Sequence, residues 1–109
     1  MKRFMDEVSA GIFRPYAYES LTTTSGAALG FTAAKYKNAT SEFICARVVC
    51  TVETAGARYR VDGTAPTKAE GHLLAAGDVV TLIGDAAITN FNFISTTSTN
   101  SVIKATYEQ

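Results

Sequence analysis

Apolar and polar residues alternate over much of this chain, in short runs that end at turn residues. The strongest run covers residues 42–54, where one set of alternate positions is entirely apolar: Ile44, Ala46, Val48, Cys50 and Val52. A period of two puts these side chains on one face of a β-strand, which we predict to lie in the core. The other face is half apolar, so we expect either the second layer of a sandwich or another subunit to cover it. Of the two, we favour the second layer.

Similar runs predict further short strands, at residues 16–24, 28–33, 57–61, 72–75, 79–83, 88–95 and 102–107. The pairs Asp62-Gly63, Gly77-Asp78 and Gly84-Asp85 separate several of these strands, and such pairs favour tight turns. About seven or eight short strands predict an all-β fold, a single β-sandwich or jelly-roll-like domain. A chain of 109 residues has the size of one such domain.

The first 15 residues mix charged and large apolar side chains, and Pro15 closes the stretch. We predict an extended N-terminal arm at residues 1–15 and the sandwich domain at residues 16–109. So many apolar residues indicate that the arm is held in place, either on the protein's own core or on a neighbouring subunit. We expect protein-interface residues in the arm, in the first strand and at one arginine pair: Phe4, Met5, Ile12, Phe13, Arg14, Tyr16, Tyr18, Arg58 and Arg60.

Charge changes this picture in two ways. Ten Lys and Arg residues balance ten Asp and Glu residues, which argues against a nucleic-acid binder because such proteins usually carry a basic excess. Arg58 and Arg60 are two residues apart in a predicted strand, so their guanidinium groups lie on one sheet face. There they either pair with a neighbouring strand or contact a partner.

Targeting signals and membrane spans are not expected. No apolar run approaches the ~20 residues that cross a bilayer. Asp6 and Glu7 stand where a signal peptide would be apolar. We therefore expect synthesis in the cytosol and no membrane partner.

Candidate catalytic and metal-binding residues are few and scattered. His72 is the one histidine, no Gly-x-Ser-x-Gly motif is present, and the acidic residues stand mostly at turns. Cys45 and Cys50 are five residues apart in a predicted strand, roughly 16 Å, which is too far for a disulfide. A Cys-x4-Cys pair with one distant histidine also lacks the usual zinc ligand set. We expect neither an enzyme nor a protein that binds a metal or cofactor.

The second half of the chain carries a specific pattern. Residues 58–67 read RYRVDGTAPT, residues 71–82 read GHLLAAGDVVTL, residues 90–94 read NFNFI and residues 105–107 read ATY. This order of motifs, within residues 43–107, resembles a group of small structural proteins of tailed bacteriophages and prophages. The turn at its centre also resembles one in accessory β-sandwich modules of some carbohydrate-active enzymes.

The phage resemblance implies a virion component that is made in the cytoplasm of the host bacterium. We expect a capsid decoration (cement) protein on the capsid surface, which binds the major capsid protein and stabilises its shell. A homo-oligomer, a trimer by preference, would suit the local three-fold axes of a capsid. A tail- or head-fibre-associated adaptor and a carbohydrate-binding host-attachment module are the alternatives, the last with Tyr16, Tyr18 and Tyr36 as candidate sugar-stacking residues.

Overall fold

A computed structural model describes residues 13–24 and 26–109, which form two antiparallel sheets and two short helices. In chain order the elements are β1 (Pro15–Thr22), β2 (Leu29–Gly30), α1 (Ala33–Tyr36), β3 (Arg47–Glu53), β4 (Ala57–Arg60), β5 (His72–Leu74), β6 (Val79–Ile83), α2 (Asp85–Asn90), β7 (Asn92–Ser95) and β8 (Val102–Glu108). Sheet one has the strand order β1-β8-β3-β6, and sheet two has the order β2-β7-β4-β5. The predicted all-β sandwich is confirmed.

The core lies between the two sheets and follows the predicted alternation. Sheet one contributes fully buried side chains from β3 and β8: Val48, Cys50, Val52, Ile103, Ala105 and Tyr107. Sheet two contributes Ala57, Leu74 and Phe93, and Phe91 packs beside them. Each large apolar side chain that is fully buried stabilises the fold by about 1.5–3 kcal/mol.

One carboxylate also points into the space between the sheets. Glu19 of β1 accepts hydrogen bonds from the backbone N–H of Thr32 at 3.1 Å and from the Thr32 hydroxyl at 2.6 Å. The hydroxyl of Tyr107 donates to the same carboxylate. Burial, and next the contact with Glu19, raises the pKa of Tyr107 above its ordinary value. The three groups join β1 and β8 to the segment after β2.

The strand predicted at residues 42–54 is wrong for its first five residues, because β3 begins at Arg47. The preceding segment bonds elsewhere: the N–H of Ile44 donates to the carbonyl of Tyr36, and Phe43 forms an isolated bridge with Lys37. The alternation is also out of phase there, since Cys45 is buried whereas Ile44 is only half-buried.

Two shorter strand predictions also need correction. The strand predicted at 88–95 begins only at Asn92, because residues 85–90 form α2 after Gly84, whose φ is +93°. The fully buried side chain of Ile88 anchors this helix to the core. The strand predicted at 28–33 is reduced to β2, and α1 follows it. Neither helix in the described part of the chain is long and apolar enough to span a membrane.

Candidate interaction surface

The face of sheet one that points away from sheet two, here called the outer face, is built by alternate residues of its four strands. It carries Tyr18, Ser20, Thr22, Arg47, Val49, Thr51, Val79, Thr81, Ile83, Lys104 and Thr106. The half-apolar side of β3 therefore lies on this face. The expectation that a second layer covers that side is wrong, because sheet two packs on the opposite face of β3.

Three large apolar side chains of the outer face are mostly exposed. Tyr18 is 54% exposed, Val79 is 61% exposed and Ile83 is 64% exposed. Val79 and Ile83 lie on β6, and Tyr18 lies on β1 at the other edge of the sheet. Between these edges lie the half-buried Val49, two threonines and two charged side chains, Thr51, Thr106, Arg47 and Lys104. Large apolar side chains that are exposed on one sheet face make this face a candidate for a protein–protein contact.

Phe13 and Arg47 tie the beginning of the described chain to this face. The guanidinium of Arg47 lies over the ring of Phe13, 4.0 Å from its centroid, and its Nε donates to the carboxylate of Glu108 at 2.5 Å. Next to this contact, the backbones of Arg14 and Gln109 exchange two hydrogen bonds of 2.7 and 2.9 Å. The last residues of the predicted arm thus join sheet one.

The remaining residues predicted in the arm and first strand have different environments. Arg14 is exposed, and Pro15 already belongs to β1. Tyr16 is half-buried, and its hydroxyl donates to the carbonyl of Lys35 at 2.6 Å. Phe4, Met5 and Ile12 lie outside the described residues.

Arg58 of the RYRVDGTAPT motif holds a loop over sheet two. Its Nε donates to the carbonyl of Lys68 at 3.0 Å, and its Nη1 donates to the carbonyl of Gly71 at 2.9 Å. The loop buries Pro66 beside Ile94, on the side of sheet two that faces away from the core. The chain's own loop therefore covers this side at Ile94, whereas Leu73 at its edge stays 64% exposed.

Arg60 stabilises the turn at the beginning of the same loop. It forms an ion pair with Asp62, whose Oδ1 also accepts the N–H of Thr64 at 3.3 Å. The hydrogen bond from Arg60 holds the pKa of Asp62 below its usual range. Gly63 completes the turn with a φ of +87°, a conformation that glycine adopts without strain. The Arg58–Arg60 pair thus makes contacts within its own chain.

An open cleft of about 380 Å³ lies beside this turn, lined by Arg60, Val61, Asp62, Glu70, Gly71 and His72. His72 is exposed and packs against Tyr59, with 5.3 Å between ring centroids and an angle of 42° between the ring planes. Within residues 13–24 and 26–109, no group of three or more His, Cys, Asp or Glu side chains is arranged to hold a metal ion. The cleft presents charged groups but no assembled metal centre.

The two thiols are buried and are not joined in a disulfide, as expected from their spacing. Burial, with a smaller contribution from Glu19, raises the pKa of Cys50 to about 12. A thiol with such a pKa stays protonated at neutral pH, and nucleophilic cysteines need the thiolate. Cys50 therefore acts as a core side chain.

Sequence reasoning missed the residues of β6 that shape the outer face. The segment VVTLI was recognised as a strand, but its exposed residues, Val79, Thr81 and Ile83, were not singled out. The available signal was that both faces of the run are uncharged and rich in β-branched residues. Such a run normally marks a strand that is covered on both sides.

Comparison of the chain with protein-family models, with curated proteins and with solved structures gives no match.

Proposed function

We propose that this protein is a capsid decoration protein of a tailed bacteriophage, which binds the major capsid protein and stabilises the assembled shell. The observation that carries the proposal is the difference between the two sheets. The loop held by Arg58 covers Ile94 on the outward side of sheet two and leaves one large apolar side chain there, Leu73, mostly exposed, whereas the outer face of sheet one presents three, Tyr18, Val79 and Ile83. Exposed apolar side chains of this kind suit a partner protein, and the motif pattern within residues 43–107 resembles phage structural proteins.

Repeated binding sites on a capsid shell allow even a weakly binding surface to stabilise the particle. Many copies of one shell protein present the same site, so a modest contact repeated over the particle reinforces the shell without requiring a tight single contact. The balanced charge of the chain also suits packing in an assembly, because it adds no net repulsion between neighbouring copies.

The carbohydrate-binding alternative receives less support from the tyrosines. Sugar-binding platforms need neighbouring exposed rings, but Tyr36 is 7% exposed and Tyr16 uses its hydroxyl within the chain. Of the three candidates, Tyr18 alone is mostly exposed. We therefore keep the capsid as the proposed partner.

A binding experiment with paired variants tests the proposed surface. Purified protein is added to capsids that lack it, and the bound fraction is measured by co-sedimentation. Tyr18→Ser removes an exposed ring from the outer face, and we expect it to weaken binding about tenfold, the effect of losing an aromatic contact of about 1.4 kcal/mol. Leu73→Ser is the matched control, since Leu73 is 64% exposed but lies on β5 of sheet two.

Equal weakening by both variants would contradict the assignment of the outer face. A wild-type protein that fails to bind capsids would contradict the proposed function itself. A glycan array that shows binding lost in Tyr18→Ser would favour the attachment module instead.

A further inference from the structure

β6 leaves one of its edges unpaired within the described chain. It is the last strand of sheet one, and its one strand neighbour is β3. Its sequence, VVTLI, contains no charge and no proline. Natural edge strands usually carry such residues, or are very short, because an open edge pairs readily with another chain.

The other three sheet edges have this kind of protection. β1 begins with a proline, β2 has two residues and β5 has three residues. β6, in contrast, has five residues and exposes Val79 and Ile83. The unprotected edge and the most exposed apolar residues of the outer face therefore coincide on one strand.

The hydrogen-bond pattern identifies which backbone groups of β6 are available. Val52 of β3 turns both of its backbone groups toward β6: its N–H donates to Asp78 and its carbonyl accepts from Gly77. Because these groups alternate along antiparallel strands, Val80 and Leu82 bond to β3. The N–H and carbonyl groups of Val79, Thr81 and Ile83 then point to the open edge.

We propose that β6 is a homodimerisation strand, which pairs antiparallel with β6 of a second copy about a two-fold axis at Thr81. In this register Val79 lies opposite Ile83 of the second copy, and the two Thr81 residues face each other. By symmetry Ile83 also lies opposite Val79 of the second copy. All three pairs are of the hydrogen-bonded type, so the backbone N–H and carbonyl groups that point to the open edge are paired in both copies. Sheet one of the first copy and sheet one of the second copy then form one continuous eight-stranded sheet.

Side chains and charges agree with this register. Val79 and Ile83 meet across the axis as a β-branched pair, and facing threonines are favourable on neighbouring strands. Asp78 falls opposite Gly84 of the second copy and Asp85 falls opposite Gly77, so no like charges meet. A two-fold contact needs a surface that is complementary to itself, and the edge of β6 meets this requirement.

Sedimentation equilibrium on the free protein tests the inference, which does not rest on the proposed function. The contact is small, so we expect a reversible dimer with a dissociation constant on the order of 1–100 µM. Thr81→Lys places two ammonium groups at the axis and is expected to raise that constant at least about tenfold. The control Leu73→Lys changes another exposed strand residue, which lies on sheet two, and should leave the dimer unchanged.

Crosslinking provides a second readout that does not depend on a charge change. Paired Cα atoms are about 5.5 Å apart in a hydrogen-bonded pair, within disulfide range. Thr81→Cys should therefore give a covalent dimer with oxidised glutathione, whereas Leu73→Cys should stay monomeric on a denaturing gel. Because both native thiols are buried, they should not react.

A wild-type protein that stays monomeric up to about 500 µM would overturn the inference, since a dimer of this size would then be populated. A dimer that Thr81→Lys does not weaken, or that Thr81→Cys does not crosslink, would also overturn it by placing the contact elsewhere. Circular dichroism of each variant confirms that the domain is folded.

Discussion

At the scale of single residues, two glycines of this chain have the same kind of backbone conformation in different surroundings. Gly71 has a φ of +133°, and a Cβ there would lie 3.1 Å from the carbonyl oxygen of Tyr59 and 3.2 Å from Pro66. Gly77 has a φ of +97° but would meet nothing within 4 Å. Gly71 is therefore needed both for its positive φ and for close packing, whereas Gly77 is needed for its positive φ alone.

This difference predicts the cost of two matched substitutions. Gly71→Ala should lower the free energy of unfolding by about 2–4 kcal/mol, because strain and crowding act together. Gly77→Ala should lower it by about 1 kcal/mol, because strain acts alone. Urea unfolding followed by circular dichroism measures both values. Equal costs would show that the loop around Gly71 moves aside easily.

The buried thiol of Cys50 predicts a loss of stability at alkaline pH. Its pKa is about 12 in the folded protein, above its ordinary value of 9.0. As the pH rises above 9, the unfolded chain loses this proton while the folded chain keeps it, so stability falls by up to about 1.4 kcal/mol per pH unit until the folded pKa is reached.

Urea unfolding between pH 8 and pH 10 measures this loss. Cys50→Ala should be less stable overall but should lose less stability over that interval than the wild type. Parallel curves for the two proteins would contradict a raised pKa at Cys50.

At the scale of elements, period-two patterns were reliable where one face of a strand meets the core. The second half of the long run at 42–54 behaves in this way, and its inward residues were predicted correctly; alternate residues of β8 are buried in the same manner. The pattern failed at Cys45 and Ile88, because a short apolar stretch such as the ones around these residues fits a bend or a short helix as well as a strand. The pairing of distant strands, which creates the open edge of β6, leaves no periodic signal in the sequence.

The same limit applies to the candidate surface. Tyr18 and Phe13 were predicted as interface residues, and both lie on sheet one or against it. Arg58 and Arg60 were predicted from their spacing, but spacing does not reveal that the loop after β4 returns to Arg58, or that Arg60 pairs with Asp62 of the adjacent turn. Such partners become visible only once the chain is folded.

Two truncations distinguish the contribution of residues 1–12 to stability from that of residues 13–15. Deleting residues 1–12 leaves Phe13, β1 and every described contact in place, so we expect the free energy of unfolding to change by less than about 0.5 kcal/mol. Deleting residues 1–15 also removes the Phe13–Arg47 contact and the Arg14–Gln109 hydrogen bonds. This deletion should cost about 1–3 kcal/mol and still leave a folded domain.

Thermal and urea unfolding of the two truncated proteins check this expectation. A large loss of stability on removing residues 1–12 alone would show that the arm packs on its own domain. Unchanged stability with weaker capsid binding would support an arm that reaches a neighbouring subunit.

At the scale of the whole molecule, the two sheets divide the roles between them. The loop after β4 covers part of sheet two, whereas sheet one carries the outer face that we propose for a partner and the edge that we propose for a second copy. The trimer expected from the phage resemblance and the inferred two-fold dimer differ in mass, so the sedimentation experiment distinguishes them. Pairing through β6 leaves Tyr18 free, since three strand spacings of about 4.8 Å put it roughly 14 Å away.

The most direct test of the central claim is the copy number of this chain in purified phage particles. Quantitative mass spectrometry of intact virions measures its ratio to the major capsid protein. A decoration protein should be present in numbers comparable to the capsid protein and should be lost when the shell is removed. Its absence from the particle, or a number as low as that of a tail component, would contradict the proposal.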